Sequence, residues 1–186
     1  MTDRDHIVYR NQRTADSTRV VIAFDLANKT GWAVMRVECN PTLIASGTIG
    51  GSNDRLRRRN LLQAAASLAE RFDGDVARAY LEEPFHPQNG SQQRASWKLR
   101  TILGWYEMAC ELYRWPIETV EAQAWRRGMF GKVGKGMRRD KLKRLAVSTV
   151  ASMFSLTVGH DEAEAIMIAA WGAKREWIAQ QRNRGK

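Results

Sequence analysis

One segment of the chain constrains the fold more than any other: residues 19–25, an apolar, β-branched run that closes on the carboxylate of Asp25. Two further strand-like segments follow at residues 30–37 and 42–49, and turn-forming residues separate all three segments. Short β-branched runs bounded by turns of this kind are typical of neighbouring antiparallel strands. The segments therefore predict a three-stranded meander.

Helical and strand-like segments alternate along the rest of the chain. Apolar side chains at helical spacing predict helices at residues 53–71, 91–114, 138–156 and 161–180. Strand-like runs at residues 76–83 and 117–120 lie before and after the second of these helices. This order of elements indicates an α/β protein with a mixed sheet flanked by helices.

The composition fits one globular domain. The chain has 186 residues, of which 44% are hydrophobic, and a chain of over ~150 residues buries roughly 70% of its unfolded surface. We assign residues 19–182 to the domain, residues 1–18 to a polar N-terminal arm and residues 183–186 to a basic tail. No apolar run approaches the ~18 residues that span a bilayer, so we expect a cytoplasmic protein without a membrane partner.

The cysteines and the net charge limit the possible functions of the chain. Cys39 and Cys110 are the only cysteines and lie far apart, which excludes a zinc knuckle. Thirty Lys and Arg against 20 Asp and Glu give a net charge of +10. A folded chain this basic favours a polyanionic partner, although scattered cations also serve solubility.

Four carboxylates occupy positions that core packing does not explain. Asp25 and Glu82 each follow an apolar strand, whereas Asp161 and Glu164 are three residues apart at the start of the last helix and so share one side of it. Clustered carboxylates repel one another unless a cation neutralises them, and their oxygens suit Mg²⁺ or Mn²⁺. The pattern predicts a site for two metal ions that hydrolyses phosphodiesters. Glu83 is the second choice, because strand alternation points it away from Glu82.

Each acid on its own also has an ordinary structural interpretation. Acids in the first turn of a helix stabilise it through the helix dipole, which explains Asp161 and Glu164 without a metal. Asp25 alone fits a turn, and Glu82 alone fits the entry to a loop. The combination of all four is more specific than any one of them.

Three segments of the chain, residues 24–34, 81–85 and 160–165, resemble the acidic motifs of RuvC-like Holliday-junction resolvases in order and spacing. The resemblance covers roughly residues 19–175. It implies an RNase H-like fold with a mixed five-stranded sheet, a metal-dependent nuclease and a homodimer that acts on four-way DNA junctions. By this resemblance the metal ligands are Asp25, Glu82, Asp161 and Glu164.

Two departures from the family pattern stand in these motifs. Asp25-Leu26-Ala27 replaces Asp-Pro-Gly before a shorter loop, and the last acid is Glu164 where many members carry Asp. Glutamate reaches one methylene further, so metal spacing or preference can differ. Both variations resemble the phage-type branch of the family, which implies a bacterial or phage-infected cell.

Basic residues concentrate in residues 125–145, where Asp140 is the only acid. This charge is typical of a nucleic-acid surface, although a solvated helix face is the alternative. Four glycines predict that its first half is a flexible loop. The resemblance places a lysine near the scissile phosphate, with Lys141 or Lys135 as candidates, and an aromatic residue on the DNA bases at Phe85, for which core packing competes. The predicted DNA-binding residues are Phe85, Arg126, Arg127, Lys132, Lys135 and Lys141.

The resulting hypothesis is a metal-dependent endonuclease that resolves Holliday junctions by paired symmetric nicks. The alternatives are an RNase H-like nuclease of looser specificity, acting on flaps, forks or RNA-containing duplexes, and a catalytically silent DNA-binding module. The second long helix is a candidate for the dimer interface because it carries more large apolar residues than one sheet face requires, unless this surplus fills the core. These residues are Trp97, Ile102, Trp105 and Tyr113. The role of His160, as a cap, a supporting group or a proton carrier, stays open.

Overall fold

The computed structural model describes residues 8–9, 19–72, 74–84, 93–132 and 137–184. Its strands are β1 Val8–Tyr9, β2 Val20–Asp25, β3 Thr30–Arg36, β4 Leu43–Ile49, β5 Val76–Glu82 and β6 Ile117–Val120. Its helices are α1 Asp54–Phe72, α2 Gln93–Leu112, α3 Ala122–Phe130, α4 Arg139–Phe154 and α5 His160–Arg184. None of these helices is long and apolar enough to cross a membrane.

The sheet has the strand order β1-β4-β3-β2-β5-β6. The pairs β2–β3 and β3–β4 are antiparallel, which confirms the meander, and β5 and β6 extend the sheet in parallel with β2. The predicted mixed five-stranded sheet flanked by helices is therefore confirmed. The two residues of β1 pair with β4 at one edge and add a short sixth strand.

Helices cover both faces of the sheet. All six residues of β2 are buried, as expected for a central strand that packs helices on either side. Ile22 and Phe24 face a core formed with α1 and α2. Val21 and Ala23 face a second core formed with α3, α4 and α5. The end of β2 therefore lies between two helical layers.

Helix α5 packs on the sheet through small residues. Its buried face is rich in alanine and includes Gly172, where an added Cβ would lie 2.5 Å from the ring of Tyr80. Small side chains let the helix axis approach the strands closely. This close packing consequently fixes the distance between the start of α5 and the strand ends.

The prediction of a flexible loop in the first half of residues 125–145 is wrong for residues 125–130. Residues Ala122–Phe130 form helix α3, and Trp125 within it is completely buried. Gly128 lies inside this helix, where any larger residue would be excluded because an added Cβ would overlap the indole of Trp171. Gly131 has a φ of 72° and ends the helix. These two glycines therefore serve close packing and helix termination; Gly134 and Gly136 lie outside the described residues.

Candidate active site

The sheet brings the first two acids together. Because β2 and β5 are parallel neighbours, both end at the same edge of the sheet, and their register pairs Phe24 with Leu81. Asp25 and Glu82, the next residues, therefore lie side by side. Asp25 is buried and its carboxyl group is hydrogen-bonded to the side chain of Glu82. We call this side the acidic edge of the sheet.

Helix α5 adds the other two acids over the same edge. Gly31 pairs with Asp25 across β2 and β3, and a Cβ on Gly31 would overlap the backbone carbonyl of Asp161. The first turn of α5 therefore rests directly on the backbone of β3. The Ser46 hydroxyl on β4 donates a hydrogen bond to Glu162 Oε1 at 2.7 Å, which attaches the same turn to a third strand.

Three of the predicted ligands form a compact cluster. Asp25, Asp161 and Glu164 each offer one carboxylate oxygen, and these oxygens lie within 4.8 Å of one another. Burial is the main reason that the pKa of Asp25 is raised well above its ordinary value, and Glu82, Glu164 and Asp161 raise it further. Such a group is costly to ionise unless a cation lies beside it. The donor set therefore fits a hard divalent cation such as Mg²⁺ or Mn²⁺.

Two cations approach the cluster from α3 and α4. Arg126 Nη2 lies 2.7 Å from Glu164 Oε1 and 3.8 Å from Glu82 Oε1. Lys143 Nζ lies 2.8 Å from Asp161 Oδ1 and 3.8 Å from Glu164 Oε2. When all four carboxyl groups are ionised, they leave a formal charge of −2 against these two cations. This group of six side chains, which we call the acidic site, retains enough negative charge to attract a divalent ion.

Lys143 is a site residue that the sequence analysis missed. Burial lowers the pKa of Lys143, but the hydrogen bond to Asp161 and the charges of Asp161 and Glu164 outweigh it, so the pKa is raised and the side chain stays charged. A signal was present in the helical spacing. Lys143 lies three residues before Ala146 and seven before Val150, both buried, and so belongs to the inward face of α4. Lys141, the predicted candidate, is exposed.

The other predicted residues lie in different surroundings. Arg126 faces the acids, whereas Arg127, Lys132 and Lys141 are exposed. Glu83 donates its backbone N–H to the Val120 carbonyl at 2.9 Å and so extends the pairing of β5 with β6. The first residue of α5 is His160, which is exposed. The predictions for Phe85 and Lys135 lie outside the described residues.

Comparison with known proteins identifies the fold. No protein-family model and no curated protein sequence matches the chain. Among solved structures, RuvC of T. thermophilus in complex with a Holliday junction substrate superposes with a TM-score of 0.69 at 16% identity, covering 87% of this chain and 96% of that one. The structure of Thermus thermophilus RuvC superposes with a TM-score of 0.64 at 17% identity, covering 88% and 96%. The chain therefore has the RNase H-like fold of RuvC, as its three acidic motifs indicated.

Proposed function

We propose that this protein is a metal-dependent endonuclease that cuts branched DNA, and that it resolves four-way junctions by paired symmetric nicks. The observation that carries the proposal is the position of the acidic site, at the strand ends of a RuvC-like fold. A RuvC structure with this fold was solved with a Holliday junction substrate, which supports the choice of substrate.

Four residues would hold the metal ions: Asp25, Glu82, Asp161 and Glu164. Two Mg²⁺ or Mn²⁺ ions held by these residues would supply an activated water molecule and stabilisation of the leaving 3′-oxygen. No serine or cysteine nucleophile is required. The protein's part is to hold the four carboxylates at fixed spacing, and the strand ends and the first turn of α5 do so.

The cations of the acidic site have a second role in this proposal. Arg126 and Lys143 point at the same carboxylates that would hold the metal ions. If those carboxylates held metal ions, the guanidinium and ammonium groups would be less strongly attracted to them and would be available to phosphate oxygens. Their pairing with the acids therefore supports a cationic lining of the scissile position.

The exposed cations beyond the acidic site support a DNA surface. Arg127 and Lys132 follow Arg126 along and beyond α3, and Lys141 lies on the outer side of α4. Contacts from such side chains to phosphates release counterions, so binding weakens steeply with salt. Phe85 and Lys135 remain predictions for the same surface.

Paired nicks need two active sites related by a two-fold axis, which an isologous homodimer supplies. Of the four residues predicted for the dimer interface, Trp97 is 66% exposed, Trp105 and Tyr113 are partly buried, and Ile102 is only 2% exposed and packs in the core. Helix α2 also exposes Met108 by 57% and Leu112 by 65%, one turn apart on the side that carries Trp105. We propose that this apolar stripe binds a second copy.

The test compares four-way, three-way, flap and linear DNA, each labelled on every strand, with Mg²⁺ and with EDTA. We expect metal-dependent nicks at symmetric positions of the four-way junction, and no cleavage by the Asp25→Asn variant. Sedimentation of the same sample should give a dimer.

Two outcomes would favour the alternatives. Equal cleavage of flaps or linear DNA, or unpaired nicks by a monomer, would favour the nuclease of looser specificity. Junction binding without cleavage in any divalent metal would favour the catalytically silent module.

A further inference from the structure

A second group of exposed cations lies on the opposite face of the sheet from α3 and α4. Arg55 and Arg59 belong to the first two turns of α1, and Arg94 and Lys98 to the first two turns of α2. All four are exposed, and none has an ion-pair partner among the described residues, whereas the neighbouring Arg57 pairs with Asp54. Together with Trp97, which is 66% exposed, they form what we call the α1–α2 surface.

Contacts in the core place this surface beside the acidic edge. The Tyr106 ring packs on Phe24, the residue before Asp25, with ring centroids 4.7 Å apart, and the Tyr106 hydroxyl is hydrogen-bonded to Thr30 at the start of β3. Tyr106 therefore marks where α2 passes the ends of the strands. Since α2 connects the parallel strands β5 and β6, it runs antiparallel to them. Ile102, one turn before Tyr106, still packs in the core, and the residues before it lie toward and beyond the strand ends.

The first half of α2 consequently projects past the acidic edge. From Gln93 to Ile102 the helix is roughly 14 Å long at the usual rise of about 1.5 Å per residue. Arg94, Trp97 and Lys98 all lie on this projecting half. The guanidinium of Arg58 on α1 lies 5.4 Å from the Trp105 ring centroid, which attaches the start of α1 to the same helix.

The acidic edge is thus flanked by two cationic surfaces. One, on α3 and α4, is the DNA surface of the proposed function, and the other is the α1–α2 surface on the opposite side of the sheet. Unpaired like charges on neighbouring helices repel one another and do nothing for the stability of the fold. Their arrangement is complementary to a polyanion that passes over the acidic edge.

We propose that the α1–α2 surface binds the phosphate backbone of a second DNA arm while the first arm lies on α3 and α4. This proposal rests on the proposed function. Contact with a second arm would be what distinguishes a junction from a duplex. A linear duplex reaches one surface, whereas a branched molecule whose arms diverge at the acidic edge reaches both. Trp97, exposed on the same two turns of α2 as the two cations, stacks on bases near the branch point.

The test measures binding of a four-way junction and of one linear duplex arm by fluorescence anisotropy in EDTA, over a range of salt concentrations. The triple variant Arg59→Ala, Arg94→Ala, Lys98→Ala is compared with the control Lys174→Ala, Arg182→Ala, Arg184→Ala. The control removes the same charge from exposed positions of α5 away from its start at the acidic edge. Circular dichroism melting confirms that both variants are folded.

We expect the first variant to lose about tenfold in junction affinity at moderate salt and to flatten the log–log salt slope by about 2–3, since each phosphate contact contributes ~0.9. Its affinity for the duplex arm should change less than threefold, and the control should change neither. Trp97→Ala should weaken junction binding about fivefold or more, and Trp97→Phe should restore most of it. Wild-type protein that cleaves junctions, together with a triple variant that binds them as wild type does, would overturn the α1–α2 surface alone. Equal losses on junction and duplex would also overturn it, whereas wild-type protein that neither binds nor cleaves branched DNA would overturn the proposed function with it.

Discussion

The acids and the cations of this molecule are held in opposite ways. Asp25 and Glu82 terminate strands, and Asp161 and Glu164 lie within the first five residues of a helix that packs directly on strand backbone. Most cations outside the acidic site, among the residues that the structure describes, lie on exposed helix faces. Metal coordination requires oxygen atoms at fixed spacing, whereas attraction to phosphates falls off gradually with distance. The carboxylates proposed to bind metal are therefore held at fixed spacing by the fold, whereas the cations proposed to attract DNA lie on the surrounding helices.

Two adjacent residues on α3 show the same contrast. Arg126 is partly buried, contacts Glu164 and Glu82, and lies over the ring of Trp125, 4.9 Å from its centroid. Arg127 is exposed. The position of a cation relative to the packing face of its helix thus decides whether it contacts the acidic site or lies exposed on the surface proposed to bind DNA.

The largest effect is expected for Asp25→Asn, which should reduce cleavage to background while junction binding stays equal or becomes tighter. The same change should raise the melting temperature of the metal-free protein at neutral pH. Because burial raises the pKa of Asp25 above its ordinary value of 3.8, its contribution to stability is full at low pH and is lost as the pH rises through the raised pKa. The asparagine carries no such penalty.

Thermal melting against pH with and without Mg²⁺ checks this prediction. The difference between wild type and variant should close as the pH falls toward 4, and saturating Mg²⁺ should reduce it by stabilising the wild type. A wild-type protein as stable as the variant at every pH, without metal, would contradict it.

Gly31→Ala should have the next largest effect, because an added methyl overlaps the Asp161 carbonyl and must displace the first turn of α5. A displacement of about 1 Å at a reacting centre costs ~10²-fold in rate, and overpacking costs about 1–3 kcal/mol of stability. Single-turnover cleavage and thermal melting measure the two effects. The control is Gly104→Ala on α2, where the added Cβ meets open space and should leave the stability equal or higher. Cleavage by Gly31→Ala within threefold of wild type would show that α5 is not held by this contact.

The exposed cations should give an intermediate effect that separates binding from catalysis. Arg127→Ala with Lys141→Ala should flatten the log–log salt slope of junction binding by about 2, with little change in stability. Arg126→Ala should instead reduce the cleavage rate of bound junction and leave most of that slope in place. Anisotropy titrations and single-turnover rates on the same samples distinguish the two. Equal effects of Arg126→Ala and Arg127→Ala on binding and on cleavage would remove the contrast between these neighbours.

The acidic edge was predictable from the sequence because its positions follow from local periodicity. A strand that ends on an acid and two acids three residues apart on a helix define directions before any tertiary contact is known, and the structure brings Asp25, Asp161 and Glu164 together. The meander and the order of helices and strands followed from the same patterns.

What the sequence did not predict depended on contacts between distant elements. Gly128 and Gly131 suggested a loop, but Gly128 is set by Trp171, some forty residues away. Lys143 lies on the side of α4 that packs against α5, and Lys141 does not. The helical period that separates them was hard to recognise in a run of basic residues. The dimer interface was assigned to Trp97, Ile102, Trp105 and Tyr113 by the size of these side chains and not by their direction, and the structure buries Ile102 in the core.

The smallest effect is expected for Ser46→Ala, which tests whether side chains as well as backbone packing hold the acidic edge. The change removes the 2.7 Å hydrogen bond to Glu162 and leaves that carboxylate without this partner, at a cost of about 1 kcal/mol. Glu162 lies between two predicted ligands, so rotation of this turn changes the spacing of Asp161 from Asp25. We expect the Mg²⁺ concentration for half-maximal cleavage to rise severalfold, with full activity at saturating Mg²⁺ and unchanged junction affinity. The control is Ser148→Ala on α4, whose hydroxyl donates only to the Leu145 carbonyl on the surface. If both serine variants require the same Mg²⁺ concentration as wild type, the contact of Gly31 with Asp161 alone fixes the first turn of α5.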